Sequence, residues 1–149
     1  MEVVDTLQKV ALFADIERET LEKLAAHLEV RKFSAGETLC REGDPASTIF
    51  VVHKGRVKVS KGAAAQDVVE LGPGAHVGEI GMLLESDSTA TVTALEETEV
   101  LGFSIDALDQ ALVDSPYPAA MFFRALAISL ADRLRHTTDD VTLLKQKLR

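Results

Sequence analysis

Apolar residues follow two different periods along the chain. In residues 1–28, Leu21, Leu24, Ala25 and Leu28 stand at i, i+3, i+4 and i+7, the single stripe of an amphipathic helix. Asp15 precedes that stripe as its expected N-cap. From about Val30 to Ile105 the period falls to two. Strands are predicted at Thr38–Arg41, Thr48–His53, Arg56–Ser60, Asp67–Leu71, Ala90–Ala94 and Glu99–Ile105. Turn residues punctuate them: Gly36, Gly43-Asp44-Pro45, Gly55, Gly62 and Gly72-Pro73-Gly74. Short strands this closely spaced predict a small barrel or jelly roll rather than a parallel α/β sheet.

Helical spacing returns after residue 104. Ser104 can cap a segment holding Leu108, Ala111 and Leu112, and Ser115-Pro116 reads as an N-cap followed by Pro at the first helical position. Phe123, Ala127, Leu130, Leu134, Thr137, Val141, Leu144 and Leu148 then succeed one another at spacings of 4, 3, 4, 3, 4, 3 and 4. That is an a/d seam on one long helix. Its distal half outruns a small barrel and needs a partner. Either a second copy of the helix supplies it, or the helix folds back on its own barrel. The predicted organisation is one domain over 1–149: helices in 1–28, a β-roll in 29–104 and helices in 105–149. Lys61–Gln66 is the tip of a predicted hairpin.

Composition narrows the function classes. The 149 residues are 46% hydrophobic and 27% charged, as expected of a folded globular domain. A net charge of -8 disfavours unaided binding to nucleic acid or to an anionic membrane. The single cysteine, Cys40, leaves no internal disulfide and no zinc or iron–sulfur spacing. His27, His53, His76 and His136 are too scattered for a metal triad, and no nucleophile–base pair stands out, so no cofactor and no catalysis are expected. No long apolar run or signal-like N-terminus is visible, which makes a cytoplasmic location the default.

Candidate chemistry gathers in "GPGAHVGEIGMLLESDSTATVT", Gly72 to Thr93. Gly72-Pro73-Gly74 makes a turn, and Gly78 permits strained backbone angles and a close ligand. Glu79 to Leu84 reads as a short helical turn whose leading N–H groups favour an anion. Glu79 can accept hydrogen bonds from a sugar hydroxyl. Ser86, Ser88, Thr89 and Thr91 offer hydroxyl donors. The same residues also suit a plain turn, a capped helical turn and a strand edge.

"GETLCREGD" (Gly36–Asp44), "IFVVHKGRVKV" (Ile49–Val59), "LGPGAHVGEIGML" (Leu71–Leu83) and "TATVTALEETEVLGF" (Thr89–Phe103) occur in that order. Together they resemble the cyclic nucleotide-binding domain, the sensor module of catabolite activator proteins, cyclic-nucleotide-dependent kinases and gated channels. The resemblance spans about residues 7 to 145. It implies an eight-stranded β-roll with flanking helices and a phosphate-binding cassette in Gly72–Thr93. It places Gly78 before the ribose-binding Glu79, puts the amides of Ile80 and Gly81 on the phosphate, and puts Thr89 at a phosphate-contacting hydroxyl. The position where the family carries an arginine for the cyclic phosphate is Ser88.

That departure removes a charge-assisted pair, roughly twice as strong as a neutral hydrogen bond. Glu79, Glu85 and Asp87 stand nearby, and unless Arg41, Lys54 or Arg56 reaches in, the anion is poorly compensated. Weak or altered binding of cAMP or cGMP is therefore expected. "ADRLRHTTDDV" (Ala131–Val141) resembles the dimer helix of the activators, which implies base contacts from Arg133, Thr137 and Thr138, the last across a homodimer. The same arginines can instead be surface charges, and Thr137 a polar layer in the seam. The activators continue into a helix-turn-helix where this chain stops at Arg149, so no DNA contact is expected. Two functions remain: a cyclic nucleotide sensor that moves its C-terminal helix, or a ligand-free scaffold for dimerisation or for docking a separate effector.

Overall fold

The computed structural model describes residues 2–45, 48–61, 67–78, 87–112 and 116–147. Two helices open the chain, α1 (Glu2–Lys9) and α2 (Arg18–Ala25), with a 3-10 turn at Ala11–Phe13 between them. The turn buries Leu12 and Phe13 and moves the start of α2 downstream. Glu17, not Asp15, is therefore the N-cap residue of α2, and it makes no side-chain capping bond. Arg18 bonds Asp5 at 3.0 Å and ties α2 to α1. This bond holds the Asp5 carboxyl below the ordinary aspartate range. A depressed carboxyl contributes stability at neutral pH that is lost as pH falls through its lowered value.

The described strands are β1 (Glu29–Phe33), β2 (Thr38–Cys40), β3 (Thr48–Lys54), β4 (Val57–Lys61), β5 (Asp67–Leu71), β6 (His76–Val77), β7 (Thr91–Ala94) and β8 (Thr98–Ser104). They form two four-stranded antiparallel sheets, ordered β1-β8-β3-β6 and β2-β7-β4-β5. This is the expected mainly-β roll with flanking helices. β1 and β6 are additional to the six strands read from alternation. β4 and β5 pair from Val57↔Leu71 to Lys61↔Asp67, as the hairpin requires, and its tip at 62–66 lies outside the described residues.

The run "IFVV" is apolar throughout because β3 is buried on both faces. Ile49 and Val51 join a cluster with the helices, and Phe50 and Val52 join the interior of the roll. On β8, Leu101 and Phe103 face the helices and Val100 faces the interior. Two helices follow, α3 (Ile105–Leu112) and α4 (Pro116–Lys147). Ser104 Oγ accepts a bond from the Ala107 amide at 3.0 Å, the predicted cap, and Pro116 opens the 32-residue α4.

Phe13 links these parts. Its ring centroid lies 5.7 Å from that of Phe103 on β8 and 5.4 Å from that of Phe122 on α4. The start of α4 is thus anchored through Phe122 and Leu126, both buried. Phe123, Leu134, Val141 and Leu144 of the a/d seam are exposed, Leu134 at 69%. The side chain of Thr137, and Leu148, lie outside what is described.

Candidate functional site

A cleft of about 310 Å³ opens between the inner face of the β2-β7-β4-β5 sheet, β6 and the middle of α4. That volume lies at the lower end of small-molecule sites, roughly 300–1,000 Å³. Val77 and Val92 are buried at its floor, with Val59 and Leu71 half-buried beside them. Lys61, Thr89 and Arg133 stand exposed at its rim. A second hollow of about 360 Å³ lies beside Lys32, Lys54, Glu97 and Glu99. It mixes charges of both signs and, of the residues named above, includes Lys54.

Gly78 lines the cleft with φ at 94°, a left-handed conformation that strains any side-chain-bearing residue. A Cβ there would also sit 2.5 Å from the carbonyl oxygen of Thr48. The turn before it closes as expected: the Ala75 amide donates to Gly72 O at 3.1 Å, and Gly74 and Ala75 pair with Val52 on β3. Glu79, Ile80 and Gly81, together with Ser86 and Glu85, lie outside the described residues.

Ser88 lines the cleft, but its groups are committed elsewhere. Its hydroxyl donates to Ala90 O at 2.7 Å, its amide donates to Asp44 O at 2.7 Å, and its carbonyl accepts from the Gly43 amide at 2.9 Å. The Ser88 side chain thus finishes a turn joined to the Gly43–Asp44 loop. Thr91 likewise accepts from the Glu42 amide at 3.0 Å.

Arg133 lines the cleft from α4, within the same chain as the roll. Thr138 is exposed and is not among the residues lining this cleft. Arg41, Lys54 and Arg56, named above as possible replacement cations, do not line it either: Lys54 faces the other hollow, and Arg56 lies over Gly72. Lys61 lines the cleft instead. The signal for it was present, since Val57, Val59 and Lys61 share one face at period two. His76 and Cys40 also line the cleft. The Cys40 thiol is half-buried, with Ser88 Oγ 3.8 Å from its sulfur. His53 is instead buried away from the cleft, its Nδ1 2.7 Å from Thr6 Oγ1 of α1.

Comparison with known proteins agrees with this geometry. The sequence model described as "Cyclic nucleotide-binding domain" matches residues 30–115. The rod photoreceptor subunit alpha of the cyclic nucleotide-gated channel of Gallus gallus is 30% identical over 79% of this chain. The chain spans only 19% of that subunit's length. The N-terminal domain of a transcriptional regulator from Streptomyces coelicolor A3(2) superposes with a TM-score of 0.73 at 33% identity, covering 91% of this chain and 96% of that one. The catabolite activator protein of Thermus thermophilus superposes with a TM-score of 0.80 at 25% identity, covering 91% of this chain and 63% of that one. The β-roll, the position of the cleft and the matched sequence together place the chain in the cyclic nucleotide-binding domain family.

Proposed function

We propose that this chain is a non-catalytic sensor of cyclic nucleotide, cAMP or cGMP, that couples ligand in the roll to α4. One observation carries the reading: a single cleft is walled both by the roll, at Gly78 and Thr89, and by Arg133 of the terminal helix. A ligand touching both favours one helix position over another, the differential affinity that coupling requires. The cyclic nucleotide gating in the name of the channel relative supports the ligand class. Among the described residues no helix is long and apolar enough to cross a membrane, in keeping with a cytoplasmic sensor.

Calorimetric titration with cAMP and cGMP tests it. Saturable binding to the wild type is expected, and Glu79→Ala should weaken it about tenfold to a hundredfold by removing hydrogen bonds to a charged acceptor. Wild-type protein that binds neither nucleotide sinks the sensor. The closed Ser88 hydroxyl favours a second reading, the ligand-free scaffold. That reading predicts no wild-type binding and binding gained in Ser88→Arg.

The exposed seam on α4 supports a homodimer through that helix. Light scattering at micromolar concentration is expected to give a dimer mass, and the double variant Leu134→Glu, Leu144→Glu a monomer mass. A monomeric wild type would refute the pairing.

A further inference from the structure

The distal half of α4 presents Leu134, Val141 and Leu144 to solvent on one stripe. Their spacing gives each a heptad position. Leu134 and Val141 fall at a, and Leu130, Thr137 and Leu144 at d. The flanking positions then carry charge. Asp140 falls at g and Lys145 at e, and both are exposed. Among the described residues, neither has an ion pair within its own chain.

Which way two such helices pair depends on the charges that each alignment opposes. In a parallel pair, a g residue meets the following e residue of the partner. Asp140 then meets Lys145 of the partner subunit, and two-fold symmetry repeats the pair on the other side. The apolar layers match like with like: Leu134 on Leu134, Val141 on Val141 and Leu144 on Leu144. Val at a with Leu at d is a combination that favours two strands. Antiparallel registers do worse. The one that sets Leu134 on Leu144 of the partner subunit brings the two Asp140 carboxylates together, a like-charge contact. Sliding it one heptad toward the N-termini sets Asp140 on Arg133 but also Arg124 on Lys145, which cancels the gain. Sliding it one heptad toward the C-termini sets Asp140 on Lys147 and uncovers Leu134, the most exposed of the three at 69%.

We propose that α4 pairs with a second copy of itself in parallel and in register, with Asp140 and Lys145 of opposite subunits selecting that direction. This rests on the homodimer reading above and goes beyond it by fixing the direction and the residues that meet. Parallel pairing puts both rolls at the same end of the paired helix. A shift of α4 in one subunit is then imposed on its partner along the seam, which joins the two clefts.

Two measurements test it. Dimer dissociation constants are taken at low salt by sedimentation equilibrium for the wild type, Asp140→Asn, Asp140→Lys and the charge-swapped double variant Asp140→Lys, Lys145→Asp. Parallel pairing predicts a dimer weakened a few-fold by Asp140→Asn and roughly tenfold by Asp140→Lys, and restored to within about threefold by the swap. Direction is read separately by cross-linking in a Cys40→Ser background, with Leu134→Cys and Leu144→Cys as separate variants and oxidised glutathione as the oxidant. A disulfide needs Cα atoms within about 7 Å, which parallel pairing meets at both layers and none of the three antiparallel registers meets at both. Both variants are expected to form covalent dimers. Cross-linking at one position or at neither, or a dimer tightened by Asp140→Asn, overturns the parallel assignment and leaves the homodimer standing. A swap no tighter than Asp140→Lys overturns the selection by Asp140 and Lys145. A monomeric wild type overturns this inference and the homodimer together.

Discussion

Replacing Phe122 with alanine is expected to cost about 3–5 kcal/mol of folding stability, the usual range for emptying a buried phenylalanine site. Phe122 is fully buried. Its ring stacks on Phe13 at 5.4 Å and meets the edge of Phe123 at 5.2 Å. Phe13 in turn packs on Phe103, so two ring contacts through Phe13 join α4, the 3-10 turn and β8. Leu12, Leu21, Leu24 and Leu126 belong to the same core cluster and are each within 2% of complete burial. The neighbouring Phe123→Ala is the control, because Phe123 is 43% exposed. Urea unfolding, with both variants at one protein concentration, should show a large fall in midpoint for Phe122→Ala and a much smaller one for Phe123→Ala. Equal falls would mean that the exposed seam, not the buried contact, fixes the helix. Hydrogen exchange gives a second readout, with faster exchange expected in the first turns of α4.

That contrast also marks where the sequence could and could not be read. The a/d spacing from Phe123 to Leu148 is visible in one dimension, but its described members Phe123, Leu134, Val141 and Leu144 are exposed, while Leu130 packs half-buried on the core. The stripe that docks on the chain's own core, Phe122 and Leu126 with half-buried Met121 and Ala125, lies one residue aside. A helix with two apolar stripes gives a small net polarity, and periodicity alone cannot say which stripe faces which neighbour. The strands were easier to read. The two-sided burial of β3 follows from a continuous apolar run between turns. β6 could not be read, because two residues carry no period. β1 was obscured by exposed charges, with Arg31 lying over the Phe50 ring at 5.5 Å. At the site, Gly78, Ser88, Thr89 and Arg133 line one cleft. The cations were harder to assign. Arg41, Lys54 and Arg56 are near in sequence, but the side of the roll that each residue faces decides access, and among the described strand residues Lys61 is the cation that lines the cleft with Val59.

Gly78→Ala separates two reasons for a glycine at the edge of the cleft. One is room for a ligand; the other is the fold itself. The structure argues that the fold alone demands it. A left-handed φ of 94° costs a non-glycine residue about 1–3 kcal/mol. A methyl group 2.5 Å from Thr48 O adds an overlap with backbone, which cannot swing aside as a side chain would, and such overpacking costs about 1–3 kcal/mol more. The sum, roughly 2–6 kcal/mol, rivals the loss at Phe122 and should appear without any ligand. Thermal melting of the ligand-free variant is the measurement, with Gly74→Ala beside it. Gly74 has a similar φ of 90° but nothing within 4 Å of its would-be Cβ, so it reports the backbone strain without the overlap. A larger fall for Gly78→Ala than for Gly74→Ala is the expected result. If instead Gly78→Ala melts like the wild type and loses only nucleotide affinity, the glycine serves the ligand, and the strand contact at Thr48 is soft enough to yield.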